Sequence, residues 1–288
     1  MIYTTYQDLA DCIRRNAWKV PADIDLIVGI PRSGMIPALM LAELLNKRCA
    51  DLDSFADGHL MSYGARGNLM QCAMTHSKQK VLVIDDTIWA GNAITQAREK
   101  LAPLQGHFKF IYCCVYAESE SAKQMVDVYF EDSCRPNEKV LLKEWNVLHL
   151  PQRRTKASMW DIDGLLCKDP PDDRDQAAYE QYLPDAIPMV IPTTKIGALV
   201  TYRLERYRAV TEEWLHRHGI EYGQLLMFPS NDREERNHTQ SPAKYKARLY
   251  AAATWAKVFY ESEARQAERI HRLTSKPVFC YENGQMYI

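Results

Sequence analysis

The segment VLVIDD at 81–86 constrains this chain more than any other feature. A strand with one wet face alternates apolar and polar residues, whereas VLVI is apolar at every position and β-branched at three of four. Both faces of such a strand must be covered, which calls for helices on either side of a parallel sheet. The run 24–30, IDLIVGI, reads the same way. Helical patterns follow both runs, at 36–45 and 91–101, so the spacing predicts successive β-α-β units. Further strands are predicted at 108–116 and 126–130, and a helix at 6–16. The stretch 60–80 carries Gly64, Arg66 and Gly67 with no period, and reads as a long functional loop.

Near residue 150 the pattern resets. PQRRTK at 151–156 is short, polar and basic, and reads as a linker. A new apolar run at 157–160 ends in Asp161-Ile162-Asp163-Gly164. Strands at 196–201, 225–228, 257–261 and 277–281 follow, with helices at 204–218, 242–256 and 264–273. The predicted class is therefore α/β, with two domains at 1–150 and 157–288, each a mostly parallel sheet flanked by helices. A chain of 288 residues suits two domains.

Charge narrows the function classes. Lys and Arg total 36 against 37 Asp and Glu, a net charge of −1, which argues against a basic nucleic-acid wrapper. No run approaches the ~18–20 apolar residues of a membrane span. The first residues lack a basic and then apolar leader pattern, so no secretory signal is expected. Eight cysteines without a C-x-x-C spacing read as reduced, buried thiols, which implies a cytoplasmic location.

Ligands of open α/β sheets bind at the C-terminal ends of strands, where Asp85-Asp86-Thr87-Ile88-Trp89-Ala90-Gly91-Asn92-Ala93 falls. Two adjacent carboxylates can accept from two neighbouring hydroxyls. A turn into a helix offers free N–H groups for a phosphate. A diol beside a phosphate describes ribose 5-phosphate.

VLVIDDTIWAGNA resembles the signature of the type I phosphoribosyltransferases, and GIPRSGMIPA at 29–38 resembles their pyrophosphate loop. The resemblance spans roughly 1–150. It implies that Asp85 and Asp86 hold the ribose hydroxyls of phosphoribosyl pyrophosphate (PRPP). Thr87 and the residues through Ala90, Gly91, Asn92 and Ala93 cradle the 5-phosphate. Arg32, Ser33 and Gly34 meet the pyrophosphate together with Mg²⁺. The 60–80 stretch becomes a lid, with Arg66 as a candidate charge for the leaving group.

The second half carries Asp161-x-Asp163-Gly164, then Thr201, Lys246 and Glu261-Ser262-Glu263 in order. This set resembles the haloacid dehalogenase (HAD) superfamily of phosphohydrolases across about 157–288. It implies Asp161 as nucleophile, Asp163 as acid and base, Thr201 and Lys246 as phosphate-binding groups, and Mg²⁺ among Asp161, Asp163, Glu261 and Glu263. Arg203 and Arg206 are candidates to hold a substrate phosphate, Arg206 reading better as a surface charge. The stretch 164–200 is too short for a large cap.

Together these readings describe a bifunctional enzyme with a phosphorylated small-molecule substrate: phosphoribose passes from PRPP to a base or similar acceptor, and a phosphomonoester is hydrolysed. The alternative is a nucleotide- or PRPP-sensing module with a catalytic or degenerate HAD domain, within a larger complex such as a defence or toxin system, because Thr87 is the sole hydroxyl of the phosphate loop. A homodimer is a further expectation from the family.

Overall fold

The computed structural model describes residues 1–61, 78–133, 141–239 and 241–288. Arg66 and most of the 60–80 stretch lie outside the described residues. The chain divides into two units, Ile2–Trp145 and Asn146–Ile288. The 151–156 stretch falls inside the second unit, where Gln152–Thr155 forms a helical turn. Thr155 is buried there, its hydroxyl hydrogen-bonded to Thr194 at 2.9 Å. Pro151, Gln152, Arg153 and Lys156 around it are exposed.

The first unit runs β1 (Ile2–Thr4), α1 (Tyr6–Asn16), β2 (Leu26–Gly29), α2 (Met35–Leu45), β3 (Arg48–Asp51), α3 (Leu52–Ala56), β4 (Gln79–Ile88), α4 (Asn92–Leu101), β5 (Phe108–Ala117), α5 (Glu120–Gln124), β6 (Val128–Asp132) and β7 (Leu141–Lys143). Five strands form a parallel sheet in the order β3-β2-β4-β5-β6, while β1 and β7 pair separately, also in parallel. The alternation of side chains across the sheet explains the unbroken apolar runs. Ile27, Leu82, Ile84 and Cys113 pack on one face with Leu9 and Leu41. Val28, Val81, Val83 and Cys114 pack on the other with Ile94 and Leu101. The adjacent cysteines 113 and 114 thus point to opposite cores. All six cysteines among the described residues are free and buried.

The second unit runs α6 (Gln152–Thr155), β8 (Ser158–Trp160), α7 (Gln176–Tyr182), β9 (Ile196–Leu204), α8 (Arg208–Arg217), β10 (Tyr222–Phe228), α9 (Arg233–Thr239), α10 (Pro242–Ala252), β11 (Val258–Glu261), α11 (Ala264–Thr274), β12 (Val278–Cys280) and β13 (Met286–Tyr287). Its sheet has the order β10-β9-β8-β11-β12-β13, parallel except for β13. Both halves are therefore α/β, with mostly parallel sheets flanked by helices.

Two strands run further than their apolar cores predict. β4 continues through Asp85-Asp86-Thr87 because β5 goes on pairing with it, as far as Ile88 with Ala117. β9 continues past Thr201 to Leu204, which pairs with Phe228. In both places polar side chains are tolerated inside a strand because neighbouring groups satisfy them. Among the described residues, no helix is long and apolar enough to cross a membrane.

Candidate functional site

In the first sheet the chain steps from β2 to β3 on one side, and from β4 to β5 and β6 on the other. The order reverses between β2 and β4, which is where an open α/β sheet leaves a crevice at its strand ends. The loop after β2 and the acid pair of β4 both lie there. Gly34 has no side chain because a β-carbon would sit 2.5 Å from the Ile30 carbonyl and 3.0 Å from Asp85 Oδ1. The Pro31–Arg32 bond is cis.

The acid pair is held from several directions. Ser33 Oγ donates to Asp86 Oδ1 at 2.9 Å, and the Asp86 amide donates to Asp85 Oδ1 at 2.8 Å. Burial, reinforced by the neighbouring Asp86 charge, pushes the Asp85 carboxyl well above the usual carboxylate range, with Lys143 opposing. Two residues with no local motif complete the set. Trp145 Nε1 donates to Asp86 Oδ2 at 2.8 Å. The buried Lys143 ammonium lies 3.7 Å from Asp86 and 3.3 Å from Glu118, and donates to Thr87 Oγ1. Both follow from the β1–β7 ladder, which carries residues 143–145 to the acid pair.

The expected phosphate loop is shorter than 87–93, since Thr87 and Ile88 belong to β4. The turn is Trp89-Ala90-Gly91, and Gly91 caps α4 at φ +77°. Asn92 and Ala93 are exposed in the first turn of α4, whose N–H groups have no partners within the helix. The Trp89 indole is exposed beside them. Arg32 is exposed on the loop after β2. Of the predicted residues, Ser33, Gly34, Asp85, Asp86 and Thr87 converge, while Ala90 to Ala93 form the adjoining helix start.

The second sheet also reverses, between β8 and β11. Asp161 follows β8 and Glu261 ends β11, so both acids reach this switch point. α10 presents Lys246 on the same buried stripe as Ala243, Ala247 and Tyr250. Its ammonium lies 2.6 Å from Asp161 Oδ2 and 2.8 Å from Glu261 Oε2. Burial would lower the Lys246 pKa, but the two carboxylates outweigh it and hold the ammonium charged. Ser262 Oγ donates to Asp161 Oδ2 at 3.2 Å or to Glu261 Oε1 at 3.1 Å.

Asp163 belongs to a second group. Arg203, fully buried, grips both of its oxygens, so Arg203 is not free for a substrate phosphate. Thr201 is buried inside β9, with its hydroxyl 3.5 Å from Asp163 Oδ2 and accepting from the Arg203 amide. Arg206 rests over the Tyr207 ring and donates to its hydroxyl. Asp169, on the loop beyond Gly164, is pushed up by partial burial and then by the charge of Asp163.

The expected Mg²⁺ donor set does not assemble here. Glu263 is exposed and its Oε2 accepts from Gln266 at 2.7 Å, away from Asp161. Asp163 is committed to Arg203, and Lys246 stands between Asp161 and Glu261. Among the described residues, no three His, Cys, Asp or Glu side chains meet to hold a metal ion. The residues present do not fit a resident divalent cation.

No protein-family model matches the chain. No curated protein matches it either. Among solved structures it is similar to a xanthine-guanine-hypoxanthine phosphoribosyltransferase from Helicobacter pylori, at 17% identity over 51% of this chain and 93% of that one, with a TM-score of 0.37. A purine phosphoribosyltransferase from Pyrococcus horikoshii aligns at 21% identity over 50% and 92% of the two chains, TM-score 0.35. A hypothetical protein from Neisseria gonorrhoeae with bound ppGpp aligns at 18% identity over 50% and 88%, TM-score 0.34.

Proposed function

We propose that the first unit binds PRPP and transfers its phosphoribosyl group, and that the second handles a phosphoryl group at Asp161. One observation carries the first assignment: a buried acid pair, a serine-glycine loop and a glycine-capped helix start meet at the β2/β4 switch point. Asp85 and Asp86 would accept from the ribose hydroxyls, and the first-turn N–H groups of α4 would face the 5-phosphate. Arg32 extends from the loop that would meet the diphosphate. Mg²⁺ carried in with PRPP would neutralise diphosphate charge as that group leaves. Loss of diphosphate from the anomeric carbon builds positive charge on the sugar, which the acid pair stabilises from a low-dielectric position.

In the second unit, Asp161 stands at the strand end where its carboxylate would attack phosphorus as the P–O ester bond breaks and the alcohol leaves. Water would then hydrolyse the aspartyl-phosphate to inorganic phosphate, with Lys246 opposite to offset the charge of the incoming phosphate. The two activities are separable. Full-length protein is incubated with Mg²⁺, PRPP and a panel of bases while diphosphate and inorganic phosphate are followed. Asp161→Asn should abolish phosphate release and leave diphosphate release intact. Absence of both anions with every acceptor would sink the bifunctional reading.

A second reading has one observation in its favour. Asp86 and Thr87 are already hydrogen-bonded by Ser33, Trp145 and Lys143, so a ligand meets partly satisfied acceptors. A unit of that kind would bind PRPP or a nucleotide as a sensor. Calorimetric binding with no turnover of the bound compound distinguishes it.

A further inference from the structure

We propose that the positive charge at the acid cluster of the second unit is supplied by Lys246 in place of a resident divalent cation. Its consequence for turnover, that phosphoryl chemistry there is independent of added metal, rests on the reading of Asp161 as the reacting carboxylate.

Mg²⁺ requires about six oxygen ligands at ~2.0–2.1 Å in near-octahedral array. The point that would bridge Asp161 and Glu261 is held by an ammonium, 2.6 Å from Asp161 Oδ2 and 2.8 Å from Glu261 Oε2. The remaining oxygens of these acids are also engaged: Asp161 Oδ1 accepts from the Ile162 amide at 2.9 Å, and Glu261 Oε1 from the Ser262 amide at 3.0 Å. Besides Lys246, Ser262 also touches both acids, and it is neutral and short. A carboxylate at that position would bring a third anionic donor to the pair. Glu263, one residue on, turns to Gln266 instead.

Two buried cations offset most of the acid charge without metal. Asp161, Glu261 and Asp163 face two buried cations, Lys246 and Arg203. A dication added between Asp161 and Glu261 would sit against a buried ammonium. The other course, expelling Lys246 from its two partners, breaks a desolvated ion pair at high cost.

Manganese, followed by the paramagnetic resonance of the free ion, tests this on the full chain. Wild type and Asp161→Asn should bind the same number of Mn²⁺ ions up to roughly 1 mM, the weak end of carboxylate-site affinities. Lys246→Gln should gain one further ion, and Lys246→Gln/Asp161→Asn should lose it again. A wild-type site tighter than that limit and removed by Asp161→Asn overturns the proposal. So does a folded Lys246→Gln protein that gains no ion, since the ammonium is then not what excludes metal. Phosphate release from p-nitrophenyl phosphate supplies an arm free of variants: it should be unchanged by EDTA, and a loss restored by Mg²⁺ contradicts the proposal. If no phosphate is released under any condition, the phosphohydrolase reading fails while the manganese count still decides the metal question.

Discussion

The Arg203 guanidinium closes on Asp163, with Nη2 at 2.6 Å from Oδ1 and Nε at 3.0 Å from Oδ2. Nη1 donates to Thr211 Oγ1 at 3.2 Å, so the fork is fixed on both sides. Burial would lower the guanidinium pKa, yet the adjacent Asp163 outweighs it. Asp163 is thereby positioned by a group two residues beyond Thr201.

Lysine has the charge of Arg203 but not its planar fork. Arg203→Lys should destabilise the protein by about 2–4 kcal/mol, at or below the ~3–5 kcal/mol cost of breaking a buried ion pair outright. Arg203→Met should cost at least as much, because Asp163 is left uncompensated. Denaturant unfolding measures both. A change within ~0.5 kcal/mol, the usual surface range, would show that the pair is not structural.

Lys246 offers a cleaner energetic test, since it serves two acids at once. Lys246→Met should cost about 3–5 kcal/mol by stranding Asp161 and Glu261 in the interior. Adding Asp161→Asn and Glu261→Gln should recover a large part of that loss. A double-mutant cycle showing no coupling would contradict the arrangement.

Asp85 gives a pH dependence of defined sign. Its folded carboxyl holds its proton to higher pH than the unfolded chain, because burial and Asp86 oppose its charge. The folded state therefore binds more protons, and stability falls as pH rises from about 4, the unfolded aspartate value, through the folded one. Asp85→Asn removes this loss. The variant should melt higher than wild type near neutral pH, with the difference shrinking toward pH ~4. Melting curves across that interval check it, and a difference independent of pH would contradict it.

Gly91 tests the helix start. Its φ is +77°, and a β-carbon there would run into the Met125 side chain. Gly91→Ala should cost about 1–2 kcal/mol for the left-handed backbone alone. If the turn relaxes to avoid that strain, PRPP binding should weaken by roughly tenfold, the equivalent of ~1.4 kcal/mol. Calorimetry on the folded variant reads the effect directly.

Much of this was legible in the residues, because parallel strands buried on both faces leave a distinctive mark. VLVI and IDLIVGI announce the first sheet, and the acids after the apolar runs mark its working edge. Lys143 and Trp145 left no such mark. They reach Asp86 through the β1–β7 ladder, a pairing of two three-residue strands far apart in the chain. Thr201 and Arg203 show the converse limit. The predicted strand ended at Thr201, but pairing with β10 extends it to Leu204, and only the fold reveals that Arg203 turns inward onto Asp163. The helix α9, sequence REERNHT, lacks the apolar period that would have announced it.

Titration of Mg²⁺–PRPP into the full chain and into Asp85→Asn/Asp86→Asn, followed by calorimetry, bears most directly on the proposed ligand of the first unit. The arrangement at the β2/β4 switch point predicts one PRPP per wild-type chain and no measurable binding to the double variant. Equal binding by both proteins, or none by the wild type, would contradict it.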